Sequence, residues 1–223
     1  MDRGEGHGRQ ALMADEQRPS RASAARLSLY LRCLENWRRD GRATASSRDL
    51  AAALGVGDAQ VRKDLTHVGS LGRRGVGYSV DNLAAAIRTA LGIDREWPAV
   101  LVGAGNLARA LLRYQGFPER GFRLAALFDV DDHKVGEKIA GVDVFSMAEL
   151  GPRLRLLDAE LGIIAVPAEA AQEVGEALAA AGIRGVLNFA PTVLRLPTGI
   201  AVVNVDLTVQ LEQLAFQVQA GRE

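Results

Sequence analysis

The sequence of 223 residues has a single cysteine, Cys33. That excludes a disulfide framework and a cysteine-based zinc site. Cys33 falls within an apolar helical run and reads as core. Histidine is nearly as scarce, with only His7, His67 and His133. The only lysines are Lys63, Lys134 and Lys138, and none stands four residues after a tyrosine. The Tyr–Lys pair of short-chain reductases is therefore missing. No histidine follows a later strand, where a hydride-transfer acid/base belongs. These absences point away from an enzyme, and no catalytic residue is assigned. No apolar run approaches the roughly 20 residues needed to span a bilayer. The first twenty residues also lack the hydrophobic stretch of a signal peptide. The expectation is a cytoplasmic protein without membrane or metal partners, preceded by a disordered tail over 1–22.

Net charge is also absent, since the formal total is zero. The two halves nevertheless differ. Arg21 to Ser79 holds 11 Arg/Lys against 5 Asp/Glu, whereas Glu96 to Glu223 holds 11 against 16. A basic front and an acidic back suggest an anionic macromolecular partner for the front alone.

What the sequence does contain is a glycine turn that arrives late. The apolar strand Val100–Val102 feeds Gly103-Ala104-Gly105-Asn106-Leu107-Ala108, and a helical pattern over Asn106–Arg113 follows at once. Strand, GxGxxG/A and helix form the context of a dinucleotide-binding turn. Gly103 permits the tight turn and Gly105 lets backbone approach a pyrophosphate. Ala108, in place of the third glycine, still allows close helix–sheet packing. The helix N-terminus offers N–H groups and a positive dipole to the phosphates. Leu124–Phe128 reads as the second strand, ending at Asp129, whose carboxylate can accept hydrogen bonds from ribose hydroxyls. Val130, Asp131 and Asp132 follow without an arginine, which favours NAD(H) over NADP(H).

Further strands are expected at Val142–Phe145, Leu161–Val166, Gly185–Phe189 and Val202–Asp206, with a helix over Ala168–Ala181. Ser146 and Glu149 have capping-box spacing for a short helix. Alternating strands and helices with short connections make a doubly wound parallel sheet of the α/β Rossmann type. Asn188, Phe189, Ala190 and Pro191 fall where the fifth strand meets the crevice and can shape a nicotinamide pocket; plain core is the alternative for Phe189. Leu207–Val218 reads as an amphipathic terminal helix, packing on its own sheet or on a partner subunit.

Ahead of the turn, three helices fit. The first covers about Ala24–Arg39. The second is boxed by Ser46 and Asp49 and stops at Gly55. The third, Ala59–His67, is capped by Asp58 and carries Gln60, Arg62 and Lys63. Helix, glycine turn, helix is the helix-turn-helix plan, with the last helix as reader. Gly69–Val80 then reads as a β-hairpin wing with Arg73 and Arg74 at its glycine-rich tip, where guanidiniums reach a phosphate or a minor groove. The expected DNA contacts are Gln60, Arg62, Lys63, Arg73 and Arg74.

Five blocks, VRKDLTHVGSLGRRGVGY, GAGNLARAL, FDVDDHKVG, VPAEAAQ and GVLNFAPTVL, resemble the Rex family of redox-sensing transcriptional repressors. The likeness runs from about Ala24 to Gln219. It implies a homodimer with paired winged helices, an inverted-repeat operator in double-stranded DNA, and NAD(H) as the sensed ligand. NADH closes such a dimer and releases the DNA, while NAD+ competes without doing so. It implies a C-terminal helix exchanged between subunits. It places Arg32, Tyr114 and Asp206 at positions that couple the nucleotide site to the DNA-binding module. The expected divisions are a winged helix-turn-helix over 23–92, a nucleotide-binding domain over 96–205 and an exchange helix over 206–223. Two rival readings are an NAD-dependent oxidoreductase with a basic oligomerisation module, and a winged-helix protein sensing another nucleotide such as a coenzyme A derivative.

Overall fold

The computed structural model describes residues 19–73 and 75–221. The chain divides into two compact units between Arg95 and Glu96. In the front unit, helix α1 (Arg21–Arg39) buries Leu27, Tyr30, Leu31 and Leu34, one stripe at helical spacing. It begins three residues before the expected Ala24 because the Ser20 hydroxyl accepts from the Ser23 N–H and caps it. Arg21 and Ala22 are thus helical, and residues 1–18 of the expected tail lie outside the described residues.

Helix α2 (Ser47–Leu54) carries the anticipated capping box of Ser46 and Asp49 and ends at Gly55, whose φ is +66°. Helix α3 spans Asp58–Leu65, and here the expected cap is wrong. Gly57 is the cap residue and makes no side-chain bond. Asp58 is already helical, and its carboxylate turns to Arg62 one turn later. The expected tail of this helix is a separate 3₁₀ turn, Thr66–Val68.

The wing also differs from the expected local hairpin. Strand β2 (Tyr78–Ser79) pairs antiparallel with β1 (Thr44–Ala45), upstream of the reader helix. The intervening loop is closed by a bridge between Arg73 and Gly77. Gly77 has φ +89°, and a Cβ there would stand 2.6 Å from the Ala45 carbonyl oxygen, so the close approach of the two strands requires glycine. Arg74 lies outside the described residues. Val80 does not continue the alternation. It is the buried first residue of helix α4 (Val80–Ala90), which Ser79 caps. Val80, Leu83, Ala84 and Ile87 join the α1 stripe in one core, an element readable from the cap and spacing but not anticipated.

The back unit holds a seven-stranded sheet in the order β5-β6-β4-β3-β7-β8-β9. Its strands are β3 (Trp97–Val102), β4 (Phe122–Asp129), β5 (Lys138–Ile139), β6 (Val142–Ser146), β7 (Leu161–Ile164), β8 (Gly185–Asn188) and β9 (Ala201–Asn204). Every pairing is parallel except that of the short edge strand β5, which was not anticipated. Chain order reverses direction across β3, so the crevice beyond the carboxyl ends of β3 and β7 is the topological switch point. Helix α5 (Asn106–Arg113) shares one buried cluster with Leu101, Leu127 and Ile163. Helices α6 (Leu150–Leu157) and α7 (Ala168–Ala180) share the other with Val100, Val102, Ala126 and Phe128. Alternate residues of β3 and β4 thus feed opposite faces. The Ser146–Glu149 box does not form: Ser146 accepts from the Ala148 N–H at a 3₁₀ turn, and Glu149 pairs with Arg153. The last helix, α8 (Leu207–Ala220), buries none of its residues within the chain.

Candidate functional site

The crevice is built from the turn after β3. The Gly103 N–H donates to the Phe128 carbonyl at 2.8 Å. With φ +101°, a Cβ on Gly103 would stand 2.4 Å from the Ala165 carbonyl oxygen. Glycine is therefore imposed by the neighbouring strand end. Gly105 differs, because its missing Cβ faces open space. It precedes α5, whose N-terminus has no side-chain cap. The N–H groups of Asn106, Leu107 and Ala108 open that helix, and such groups suit an anion. Ala108 is fully buried in the cluster with Leu101 and Leu127, so a small residue is required there. Asn106 and Leu107 are exposed.

Ala104 and Asp129 form the floor of this turn. The buried Asp129 carboxylate accepts from the Ala104 N–H at 2.7 Å, the Asp131 N–H at 2.9 Å and Lys134 Nζ at 3.2 Å. Burial pushes its pKa up, but the two backbone donors and Lys134 outweigh that, and the carboxyl ionises below its ordinary range. Lys134 also lies 3.4 Å from Asp131, and its own pKa is raised, chiefly by the bond to Asp129. Lys134 stands five residues beyond Asp129, outside the stretch 130–132 that directly follows the strand. Lys134 is shared between two carboxylates rather than free for a phosphate.

Beyond β8, Asn188 is fully buried. Its Oδ1 accepts from the Ala190 N–H at 3.0 Å, and its Nδ2 reaches the carbonyls of Ala190 and Thr192. The loop after the fifth parallel strand is thereby tied to one side chain. Phe189 is half-buried and packs on the α5-side cluster with Ala104 and Ala108.

Of the three positions expected to couple the sites, Tyr114 ends α5 with its ring edge-on to Phe117, centroids 5.2 Å apart. It lines a cleft of about 240 Å³ with Leu111, Phe117 and Arg123. Asp206 caps α8, accepting from the Thr208 and Val209 N–H groups at 2.9 and 3.2 Å. It lines a different cleft of about 330 Å³ with Thr192 and Asn204. Within the back unit the two side chains are therefore apart. Arg32 is exposed on α1 in the front unit.

In the front unit, one cleft of about 980 Å³ is lined by Arg48, Arg62 and Arg73, together with Ser46, Ser47 and Tyr78. Reader helix, wing and the start of α2 thus present three guanidiniums to one concavity. Arg62 is exposed and paired with Asp58 at 2.7 Å, and Lys63 is exposed beside it. Arg48 was not anticipated; its signal is an arginine in the first turn of α2, where it joins free N–H groups. Gln60, by contrast, is half-buried and donates to Asp64 at 3.1 Å.

That carboxylate is the hidden element of the reader helix. Asp64 is 1% exposed. It accepts from Arg26 Nε at 2.6 Å and Nη2 at 2.7 Å, and from the Tyr30 hydroxyl at 2.8 Å. The Arg26 guanidinium holds the Asp64 pKa down at about 2 against its burial, while burial and the Asp64 bond push the Tyr30 hydroxyl up to about 12. Among the described residues no helix is long and apolar enough to cross a membrane, and no cluster of three His, Cys, Asp or Glu side chains could hold a metal.

Two family descriptions match the chain: a CoA binding domain over residues 94–192 and the N-terminus of putative DNA-binding proteins over residues 20–66. The redox-sensing transcriptional repressor Rex of Rhodopirellula baltica is 49% identical over 90% of this chain and 84% of its own length. That of Streptomyces coelicolor is 48% identical over 91% of this chain and 79% of its own. A crystal structure of RSP, a protein described as a Rex-family repressor, in complex with NAD+ and operator DNA superposes with a TM-score of 0.85. It is 32% identical and covers 91% of this chain and 94% of its own. A complex of RSP with NADH gives 0.82 at 30% identity, covering 91% of this chain and 95% of its own.

Proposed function

The chain belongs to the Rex family of redox-sensing transcriptional repressors, and we propose on that premise that the nucleotide state of its back unit decides whether its front unit holds operator DNA. The observation that carries this reading is that one chain combines two sites of opposite chemistry. Arg48, Arg62 and Arg73 line a cleft suited to phosphates. Gly105 and the uncapped start of α5 leave space and N–H groups for a pyrophosphate. Relatives bind NAD+ with operator DNA in one structure and NADH in another.

In this reading the turn residues Gly103 to Ala108 hold NAD(H). The open Cβ direction at Gly105 is where the pyrophosphate fits. Asp129 serves twice. It braces the Ala104 N–H and offers its remaining lone pair to a ribose hydroxyl. Lys134, shared with Asp131, leaves a net negative patch that rejects a 2′-phosphate. On the front unit, Arg62, Lys63, Arg73 and Arg74 contact DNA beside Arg48. Gln60 acts by fixing Asp64 as well as by any base contact. Arg32, Tyr114 and Asp206 transmit the state within a homodimer, whose α8 helices supply the exposed Leu207, Leu211 and Phe216 to the partner. No side chain here is assigned a catalytic step, and the protein works in the cytoplasm where DNA and NAD(H) meet.

Nicotinamide charge supplies the difference between redox states. A closed dimer that covers the ring penalises the cationic form, because burying an unpaired charge is costly. The test is a mobility-shift titration on the protein's own upstream region, with NADH and NAD+ added separately. NADH is expected to release DNA at concentrations where NAD+ does not. Equal release by both, or by neither, overturns the reading.

A further inference from the structure

The amide of Asn188 has more partners than hydrogens. Its Nδ2 carries two donors. Three acceptors lie in range: the Ala190 carbonyl at 3.1 Å, the Thr192 carbonyl at 2.9 Å and Asn204 Oδ1 at 3.0 Å. One acceptor is therefore always left out. The Asn188 side chain is fully buried, so its two hydrogens must be shared among these three acceptors and not with water. Two competitors belong to the loop after β8, at the crevice. The third is the last residue of β9, directly opposite Asn188 in the parallel ladder. The Asn188 carbonyl also accepts from the Val205 N–H at 2.8 Å. The next residue is Asp206, the cap of α8.

We propose that Asn188 is a positioning residue that couples the crevice loop to the base of α8 by choosing between two sets of acceptors. This rests on the reading that nucleotide occupies the crevice. When the backbone of residues 189–192 shifts toward a bound nucleotide, one of its two carbonyls leaves the amide. The freed hydrogen goes to Asn204, which fixes the segment leading to Asp206. When the loop relaxes, its carbonyls take both hydrogens, and Asn204 is released. Both arrangements keep every buried donor satisfied, so the balance is close and a ligand can tip it. The route is a chain of named hydrogen bonds with two states, which is the physical requirement for transmission.

Asn204 is exposed, so it can be changed without opening the core. Asn204→Ala removes one acceptor, while Asn204→Asp keeps an acceptor at the same place. For each protein we would measure the NADH dissociation constant directly and the NADH concentration that half-releases operator DNA. The expected result is a dissociation constant within threefold of wild type in both variants. The release concentration rises at least tenfold in Asn204→Ala and stays within threefold in Asn204→Asp. A release-to-binding ratio unchanged in Asn204→Ala overturns the proposal. So does a parallel tenfold rise in both quantities, which would make Asn204 a ligand contact. A second arm needs no DNA. NADH should slow amide hydrogen exchange over residues 206–211 in wild type and Asn204→Asp, and not in Asn204→Ala. Equal slowing in all three, or none in any, overturns the coupling. Failure of wild-type protein to release DNA, with the exchange pattern intact, instead sinks only the repressor reading.

Discussion

Arg48 and Arg73 line the same cleft from two different elements, the first turn of α2 and the wing loop. Each should neutralise a phosphate without reading a base. Arg48→Ala and Arg73→Ala are each expected to weaken binding to all DNA sequences alike. Each should also flatten the slope of log affinity against log salt by about one unit, because a phosphate contact fewer releases fewer counterions. A salt series by fluorescence anisotropy on operator and unrelated duplexes checks this; an unchanged slope in both variants would remove the cleft from the interface. At the other site, Asp129→Ala leaves the Ala104 N–H without its acceptor and Lys134 without its nearer partner. A ribose hydroxyl also loses its charged acceptor, a bond worth about 1.5–3 kcal/mol, so NADH affinity should fall roughly tenfold or more. The freed lysine should narrow the preference for NADH over NADPH. Calorimetric titration of both nucleotides measures the two effects, and an unchanged preference would take the Asp129–Lys134 pair out of ribose recognition.

The reader helix α3 is held at the level of the element by one carboxylate. Asp64 joins α3 to Arg26 and Tyr30 on α1, 38 and 34 residues earlier. Arg26 stays partly exposed, so removing Asp64 costs the hydrogen bonds to a charged group, about 1.5–3 kcal/mol. Asp64→Ala should therefore lower the urea midpoint of the front unit and take DNA binding with it. The pH dependence has a definite sign. Asp64 ionises at about 2 in the folded unit against an ordinary value of 3.8. Its contribution is thus whole above pH 4 and is lost as pH falls toward 2, amounting to about 2 kcal/mol by linkage. Trp37 fluorescence in a Trp97→Phe background would follow the front unit alone. The acid loss should be shallower in Asp64→Asn, and an equal acid slope in that variant would contradict the assignment.

How much of this was legible depends on whether the cause was local. The contact that imposes Gly103 comes from the distant Ala165, but Gly103, Gly105 and Ala108 could be read because the strand–turn–helix spacing is local. The Ser46–Asp49 box was readable for the same reason. Asp58 was misread as a cap because the pattern cannot tell a cap from a first-turn carboxylate when glycine precedes it. The partner of Tyr78–Ser79 was missed because it lies more than thirty residues upstream. Asp64 carries no local signal of its role, because its burial follows from the tertiary approach of Arg26 and Tyr30.

For the molecule as a whole, the proposed function has occupancy of the crevice control the DNA held by the front unit. The apolar residues Leu207, Leu211 and Phe216 of α8 are exposed within the chain. Gly105 offers the most direct test, because its Cβ position is open and the substitution leaves the fold's contacts alone. In Gly105→Val the branched side chain occupies the space left for the pyrophosphate, so direct NADH binding should be lost while operator affinity without nucleotide stays at the wild-type value. NADH titrated onto the DNA complex of this variant should leave the DNA bound at concentrations that fully release it from wild type. Release of the variant at the wild-type NADH concentration would contradict the account.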